Sequence, residues 1–208
     1  MSAIARPPTP SWQRCHDIAR SRGLAPALAA LHAALPIGAS VFGSGGAAVL
    51  PDGPVECADA RVVRTAALPG GPVLLVRTGR PGGDVDPVLA VGSVWLRLGL
   101  SEALLDACLR HLGERRSGDT TLLRQQMVQD AIAVAVTGQL EIRAELVAHD
   151  PERPPAAVLC HLHTRLTEVD RGLLRLLGAS GFLVAGPGEV ADVSELVAGA
   201  YTPAEVTV

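Results

Sequence analysis

The side chains best suited to chemistry are few, and their spacing limits what they can do. Cys160, His161 and His163 cluster in a stretch with helical pattern. Residues two apart on an ideal helix differ in direction by roughly 200°, so the two histidines cannot share one metal ion and a mixed core and surface role is expected. His16 precedes Asp17 and His149 precedes Asp150, in both cases without the context of a nucleophilic triad. Gly43-x-Gly45-x-x-Ala48 has the spacing of a dinucleotide-binding loop, which must follow a strand and open a helix. Pro51-Asp52-Gly53 comes almost at once, so these glycines read as turn residues. All 18 basic side chains are arginine, which removes Schiff-base chemistry and the phosphate-binding lysine of a Walker loop.

Bulk properties exclude further classes. A chain of 208 residues with 48% hydrophobic and 19% charged residues can bury a real core. Aromatic residues make up 2%, too few for base-stacking platforms, and the net charge of −3 comes with no basic face, so no nucleic-acid partner is expected. Cys15, Cys57, Cys108 and Cys160 are far apart and form no CxxC pair, so neither a disulfide framework nor a closed zinc site is expected. The Pro-rich start lacks an apolar core of signal-peptide length, and the longest apolar runs read as too short to cross a bilayer. The expectation is a soluble, cytoplasmic protein with no membrane partner. The abundance of Ala, Gly, Leu, Val and Arg is typical of a high-GC bacterial genome.

Three zones position these residues. Residues 1–36 hold two short helices, RCHDIARSRG and LAPALAALHAAL, punctuated by Gly23 and Pro36. Residues 37–92 are rich in glycine turns, with β-type runs at Arg61 to Ala67 and Pro72 to Thr78 joined by Pro-Gly-Gly as a hairpin. Residues 93–208 are helical, with helices expected from Trp95 to Glu114, from an Asp119 or Thr120 cap to about Asp150, from Pro154-Pro155 to Gly178, and from Glu189 to Gly199. Leu159, Leu162, Leu166, Val169, Leu173 and Leu176 mark a bundle seam on the third of these. Leu123, Met127, Ala131, Val134, Gly138 and Ile142 form the expected stripe on the second. The charges Glu141, Arg143 and Glu145, and Glu168, Asp170 and Arg171, read as solvated faces.

This order of helices, small sheet and long-helix bundle, together with specific residues, resembles the acyl-CoA dehydrogenases. LGLSEALLDACLRHLGERRSG is similar to the first helix of their C-terminal bundle, with its closing Glu-Arg-x-x-Gly element. TLLRQQMVQDAIAVAVTGQLEIRAEL resembles the second long helix, with Gln125 or Gln126 at the family's glutamine. LLRLLGASGF resembles the Leu-Gly-Gly-x-Gly turn, and EVADVSELV stands where an Arg-Asp pair is usual. FGSGGAAVLPDG and PVLLVRTG look like remnants of the central β domain. The resemblance spans roughly Val41 to Thr202, and no single motif is intact.

The resemblance implies a mainly α fold with a small β subdomain and an acyl-CoA-dehydrogenase-like C-terminal helical bundle. It implies FAD as cofactor, whether retained or abandoned. Arg115 or Arg116 matches the arginine that reaches a flavin pyrophosphate across a subunit interface, and Gly178, Ala179, Ser180 and Gly181 match the glycine turn near it. The structural alternative is a helix-capping glycine and a surface arginine pair. Ser117-Gly118 replaces the usual Phe-Gly, and the Thr-Glu-Pro…Gly-Ser-Asp segment that faces the flavin is absent. The family's catalytic glutamate lies at one of two places, matched here by Gly199-Ala200-Tyr201-Thr202 and by Trp95-Leu96-Arg97-Leu98, neither with a carboxylate. Removing an α-proton requires a base within reach. Three roles follow as expectations: a subunit that shares a flavin site with itself or a full-length homologue, a cofactor-free isomerase or cyclase, or a structural partner.

Overall fold

The computed structural model describes residues 11–55, 57–80, 82–149 and 155–203. Two short helices come first, α1 (Ser11–Arg22) and α2 (Leu24–His32), broken at Gly23. That glycine has φ +91°, and a side chain there would strike the Pro69 carbonyl, so the break doubles as the seat for a β-turn. The sheet comprises β1 (Ala47–Pro51), β2 (Ala60–Leu68) and β3 (Gly71–Thr78), antiparallel in the order β1-β3-β2. β2 and β3 form the expected hairpin, turning at Pro69-Gly70 with Leu68 paired to Gly71. Gly43 to Gly46 form a turn ahead of β1, with no helix after them, as expected from Pro51-Asp52-Gly53 following so soon.

Helix α3 (Pro87–Glu114) is the axis of the molecule. It begins well before the expected Trp95, because Pro87 occupies its first turn and the Asp86 carboxylate accepts the Val88 N–H at 2.8 Å. Buried residues lie all round it, the pattern of a helix enclosed by others. By length and composition α3 is apolar enough to cross a membrane, contrary to the reading of the apolar runs as too short. Most of that apolar stretch is buried inside the protein.

The helix expected from Asp119 or Thr120 starts later. Gly118, at φ +62°, and Asp119 instead turn a small hairpin, β4 (Arg116–Ser117) against β5 (Thr120–Thr121). A 3-10 turn (Leu122–Arg124) leads into α4 (Gln126–Ala148), and α5 (Ala156–Leu177), a 3-10 turn (Gly178–Phe182) and α6 (Pro187–Tyr201) complete the chain. Asp150 and Pro154 lie outside the described residues.

On α5, Leu159, Leu162, Leu166 and Leu173 are buried as the seam predicts, but Asp170 is buried with them and Val169 only partly so. The buried face of α4 is rotated from the expected stripe: Gly138 and Ile142 lie on it, whereas Met127 and Val134 are exposed. Polar partners set this face. Gln139 turns inward to donate to the Ser101 hydroxyl at 3.0 Å, and Arg143 turns inward to Glu102.

Candidate functional site

The side chains matched to a flavin site gather at the far end of α3. Arg115 caps that helix, and its carbonyl accepts the Leu122 N–H at 2.8 Å, closing the β4–β5 hairpin. Arg115 and Arg116 are exposed, and neither has a carboxylate within ion-pair distance among the described residues. Gln125 and Gln126 are exposed at the start of α4, and Gln125 caps it through its backbone carbonyl alone. Gly178, at φ +54°, ends α5 and spends its N–H on the Arg175 carbonyl. That amide is therefore a helix cap, as the structural alternative held. Ser180 lies 3.1 Å from His111 Nε2, which ties the 3-10 turn to α3 on the same end as the hairpin. Ala179 is exposed and Gly181 buried against Leu177. Phe182, Leu183 and Val184 follow with their apolar side chains exposed.

Two polar clusters lie inside the molecule, and sequence reasoning read neither. In the first, His16 sits between Asp17 (2.9 Å from Nδ1) and Glu102 (3.1 Å from Nε2), packed edge-on against Trp95. Arg20 and Arg143 also reach Glu102, joining α1, α3 and α4. Burial would raise the Glu102 pKa, but the hydrogen bonds and charges of His16 and Arg143 outweigh it and hold the carboxyl at about 2. Arg143 is thus half-buried and turned toward this cluster rather than standing free on a solvated face.

The second cluster centres on Arg97, which is fully buried. It donates through Nε to Ser194 Oγ at 2.9 Å, and through its terminal nitrogens to His163 Nδ1 (3.0 Å), the His163 carbonyl (3.0 Å) and Thr167 Oγ1 (2.9 Å). Burial, with the Arg97 charge beside it, lowers the His163 pKa to about 3, so the ring is neutral and accepts. His163 is thus a core residue while His161 on the same helix is exposed, the division expected from their spacing. Arg97 occupies one of the two segments matched to the family's base. At the other, Ala200 packs on Gly43 and the Tyr201 hydroxyl lies between the Val49 N–H (3.1 Å) and carbonyl (3.2 Å).

One carboxyl stands apart. Asp170 is 3% exposed, and its Oδ1 has no hydrogen-bond partner. Burial raises its pKa to about 6, against the opposing pull of the Ser101 hydroxyl and the Arg97 charge, with Glu195 adding to the rise. This places Asp170, expected on a solvated face, in the core. It lines an open pocket of about 530 Å³ between the end of α1, the β2–β3 turn, the middle of α3 and the start of α6. Because an aspartate between two apolar seam positions reads as ordinary surface charge, only the third dimension reveals it.

The backbone arrangement has solved counterparts. Over 74% of its length the chain superposes on the Tcur3481–Tcur3483 steroid ACAD at a TM-score of 0.52 and 14% identity. Over 77% it superposes on the ChsE4–ChsE5 complex from Mycobacterium tuberculosis, at 0.51 and 16%. The fold is acyl-CoA-dehydrogenase-like. A structure of the electron transferring flavoprotein of Acidaminococcus fermentans also matches, at 0.50 and 15% over 72% of this chain. This acyl-CoA-dehydrogenase-like chain spans about half the length of those structures, with 50%, 54% and 47% of each covered. No family model and no curated protein matches it.

Proposed function

We propose that this chain is a cytoplasmic subunit of an acyl-CoA-dehydrogenase-like oxidoreductase, assembled with itself or with a full-length homologue and contributing to a flavin site across the interface. One observation carries the reading: an arginine pair without a carboxylate partner among the described residues, the glycine turn and the exposed Phe182, Leu183 and Val184 lie on the same end of the bundle. Exposed apolar side chains next to unpaired guanidinium groups favour a surface that a partner covers. Further apolar residues flank the buried face of α4, Met127 and Val134 on one side and Leu140 and Val147 on the other.

The residues fit the pyrophosphate end of FAD. Guanidinium groups without carboxylate partners suit bidentate contact with phosphate oxygens. Arg115 and Arg116 would hold that end, with Gln125, Gln126 and the turn Gly178 to Gly181 alongside. FAD, when bound, would supply hydride chemistry on an acyl thioester or related substrate. The two segments matched to the base, residues 95–98 and 199–202, hold no carboxylate, so the proposal assigns this chain a share of the cofactor site and no proton abstraction. Neither nucleic acid nor membrane enters the proposal.

The test is co-expression with a neighbouring full-length homologue, followed by native mass measurement and a visible absorption spectrum. A flavin-coloured assembly that loses colour in Arg115→Ala or Arg116→Ala supports the reading. A stable, colourless monomer in every preparation sinks it. A second reading, a cofactor-free enzyme, has one observation in its favour, the cavity floored by Asp170.

A further inference from the structure

We infer that the outward face of α4 docks on itself: the same helix of a second copy of this chain packs antiparallel on it, about a twofold axis beside Thr137. The inference rests on the self-assembly in the proposed function, whose partner and surface it names, and not on the flavin site. A helix with one face on its own core should carry polar residues on the other. α4 departs from that rule. Its inward side carries Gln139 and turns Arg143 toward Glu102. Its outward side holds Met127, Val134, Leu140 and Val147, each at least 60% exposed, with Ala133, Ala144 and Ala148 exposed between them.

The four large side chains are placed symmetrically. Val134 and Leu140 lie three residues either side of Thr137, and Met127 and Val147 lie ten either side. On an ideal helix these offsets put the pairs roughly 60° and 80° from the Thr137 direction, with one member of each pair on each flank. A twofold axis at Thr137 sets each residue level with its counterpart on the other side of that threonine. Val134 then stands level with Leu140 of the second copy, and Met127 with Val147 of the second copy. Apolar side chains close both flanks of the contact, and the small Ala133, Thr137 and Ala144 between them let the backbones approach. The charges fit the same arrangement. Asp130 falls level with Ala144 of the second copy, Glu141 with Ala133 and Glu145 with Gln129, so no carboxylate meets another. A parallel pairing would set Asp130 and Glu141 each against itself, which is unfavourable. Self-complementarity of this kind selects a second copy over a chain of different sequence. The contact runs the length of α4, 23 residues or roughly 34 Å. It brings the C-terminal end of one α4 level with Gln125 and Gln126 of the other, so the candidate flavin end of each copy borders the second chain.

Sedimentation of the intact protein from about 1 to 100 µM tests this, against the chain mass of 21.4 kDa. The expected result is twice that mass at the upper concentrations, with a dissociation constant raised at least ~10-fold by Val134→Arg, which puts two guanidinium groups into the contact. Val134 is exposed in the single chain, so Val134→Arg should keep the wild-type circular dichroism. Cysteine pairing reads the orientation. With helix axes about 8–10 Å apart, the two Thr137 Cα atoms lie roughly 5 Å apart, within disulfide range, whereas the two Ala144 Cα atoms are separated by roughly 21 Å along the axis. Under mild oxidation Thr137→Cys should give a covalent dimer, and Ala144→Cys should stay at the wild-type background set by the half-buried Cys57 and Cys160. A monomer throughout, a dimer unaffected by Val134→Arg, or crosslinking through Ala144→Cys overturns the inference. Assembly only with a full-length homologue also overturns it and leaves the proposed function standing. A colourless dimer with the expected crosslinks supports it and removes the flavin reading instead.

Discussion

Replacing Asp170 by Asn should make the protein's stability less dependent on pH, in a direction opposite to that usual for a carboxylate. Folding raises the Asp170 pKa from 3.8 to about 6, so the folded state binds the proton more tightly than the unfolded chain does. The stabilisation from protonation is fully present below 3.8 and is lost as pH rises through 6. Between pH 8 and pH 5 the wild type should therefore gain about 1 kcal/mol from this group alone. At 3% exposure the carboxyl needs no discount for solvent screening. The groups facing it are Arg97 and Ser101 from α3, with Gln139 of α4 bonded to Ser101, and Ser194 and Glu195 from α6. Asp170→Asn keeps the shape and cannot titrate. Urea denaturation of both proteins at pH 5 and pH 8 isolates the effect, because other titrations cancel in the difference. Relative to wild type, Asp170→Asn should gain about 1 kcal/mol on going from pH 5 to pH 8, whatever its fixed offset. An offset identical at the two pH values would show that the carboxyl is paired or solvated, and would refute the account of it as buried and unsatisfied.

Two further substitutions probe the clusters that hold the helices together. The Glu102 pKa is lowered from 4.5 to about 2, so its contribution is present above 4.5 and is lost as pH falls through 2. Glu102→Gln should cost about 2 kcal/mol at pH 7, below the ceiling set by the shift because Arg20 is half exposed, and the gap from wild type should close between pH 5 and pH 2. A gap unchanged down to pH 2 would count against the ion network. β1 lies at an edge of the sheet, and Tyr201 meets the backbone of its central residue. Tyr201→Phe leaves the buried Val49 N–H without a partner and should cost about 1–3 kcal/mol in the urea midpoint; an unchanged midpoint would mean that water replaces the hydroxyl.

The features legible in the sequence were those written in backbone chemistry and apolar spacing. Gly23 and Gly178 mark real helix boundaries because each stands at positive φ, where other residues are strained. The β2–β3 hairpin followed from two apolar runs joined by Pro-Gly-Gly, and the α5 seam from its leucines. The resemblance to the acyl-CoA dehydrogenases pointed to the fold found by superposition. Missed features arose where a short turn or a distant polar partner decided the outcome. Gly118-Asp119 reads equally well as a helix cap and as a hairpin turn, and the pairing of Arg116 with Thr121 settles it. The face of α4 could not be read from its apolar residues, because Gln139 and Arg143 bind side chains on α3, about forty residues upstream in each case. Nothing in the sequence marks β1 as a strand, since its five residues lie between glycine turns and its free edge is completed by Tyr201 from the last helix.

Satisfaction of buried polar groups separates structure from candidate chemistry. The Glu102 oxygens are met by His16, Arg20 and Arg143, and every nitrogen of the Arg97 guanidinium donates to a named partner. Networks so fully satisfied fix helix positions, with α1, α3 and α4 pinned by the first and α3, α5 and α6 by the second. Asp170 lies between them on α5 within reach of the Arg97 charge, yet keeps one buried oxygen without a hydrogen-bond partner. If its role were only to balance Arg97, direct contact would serve better, and no such contact is present among the described residues. Asp170 is therefore the buried polar group among the described residues whose role packing does not account for, and the arginine hairpin at the C-terminal end of α3 has the stronger claim to a partner's cofactor.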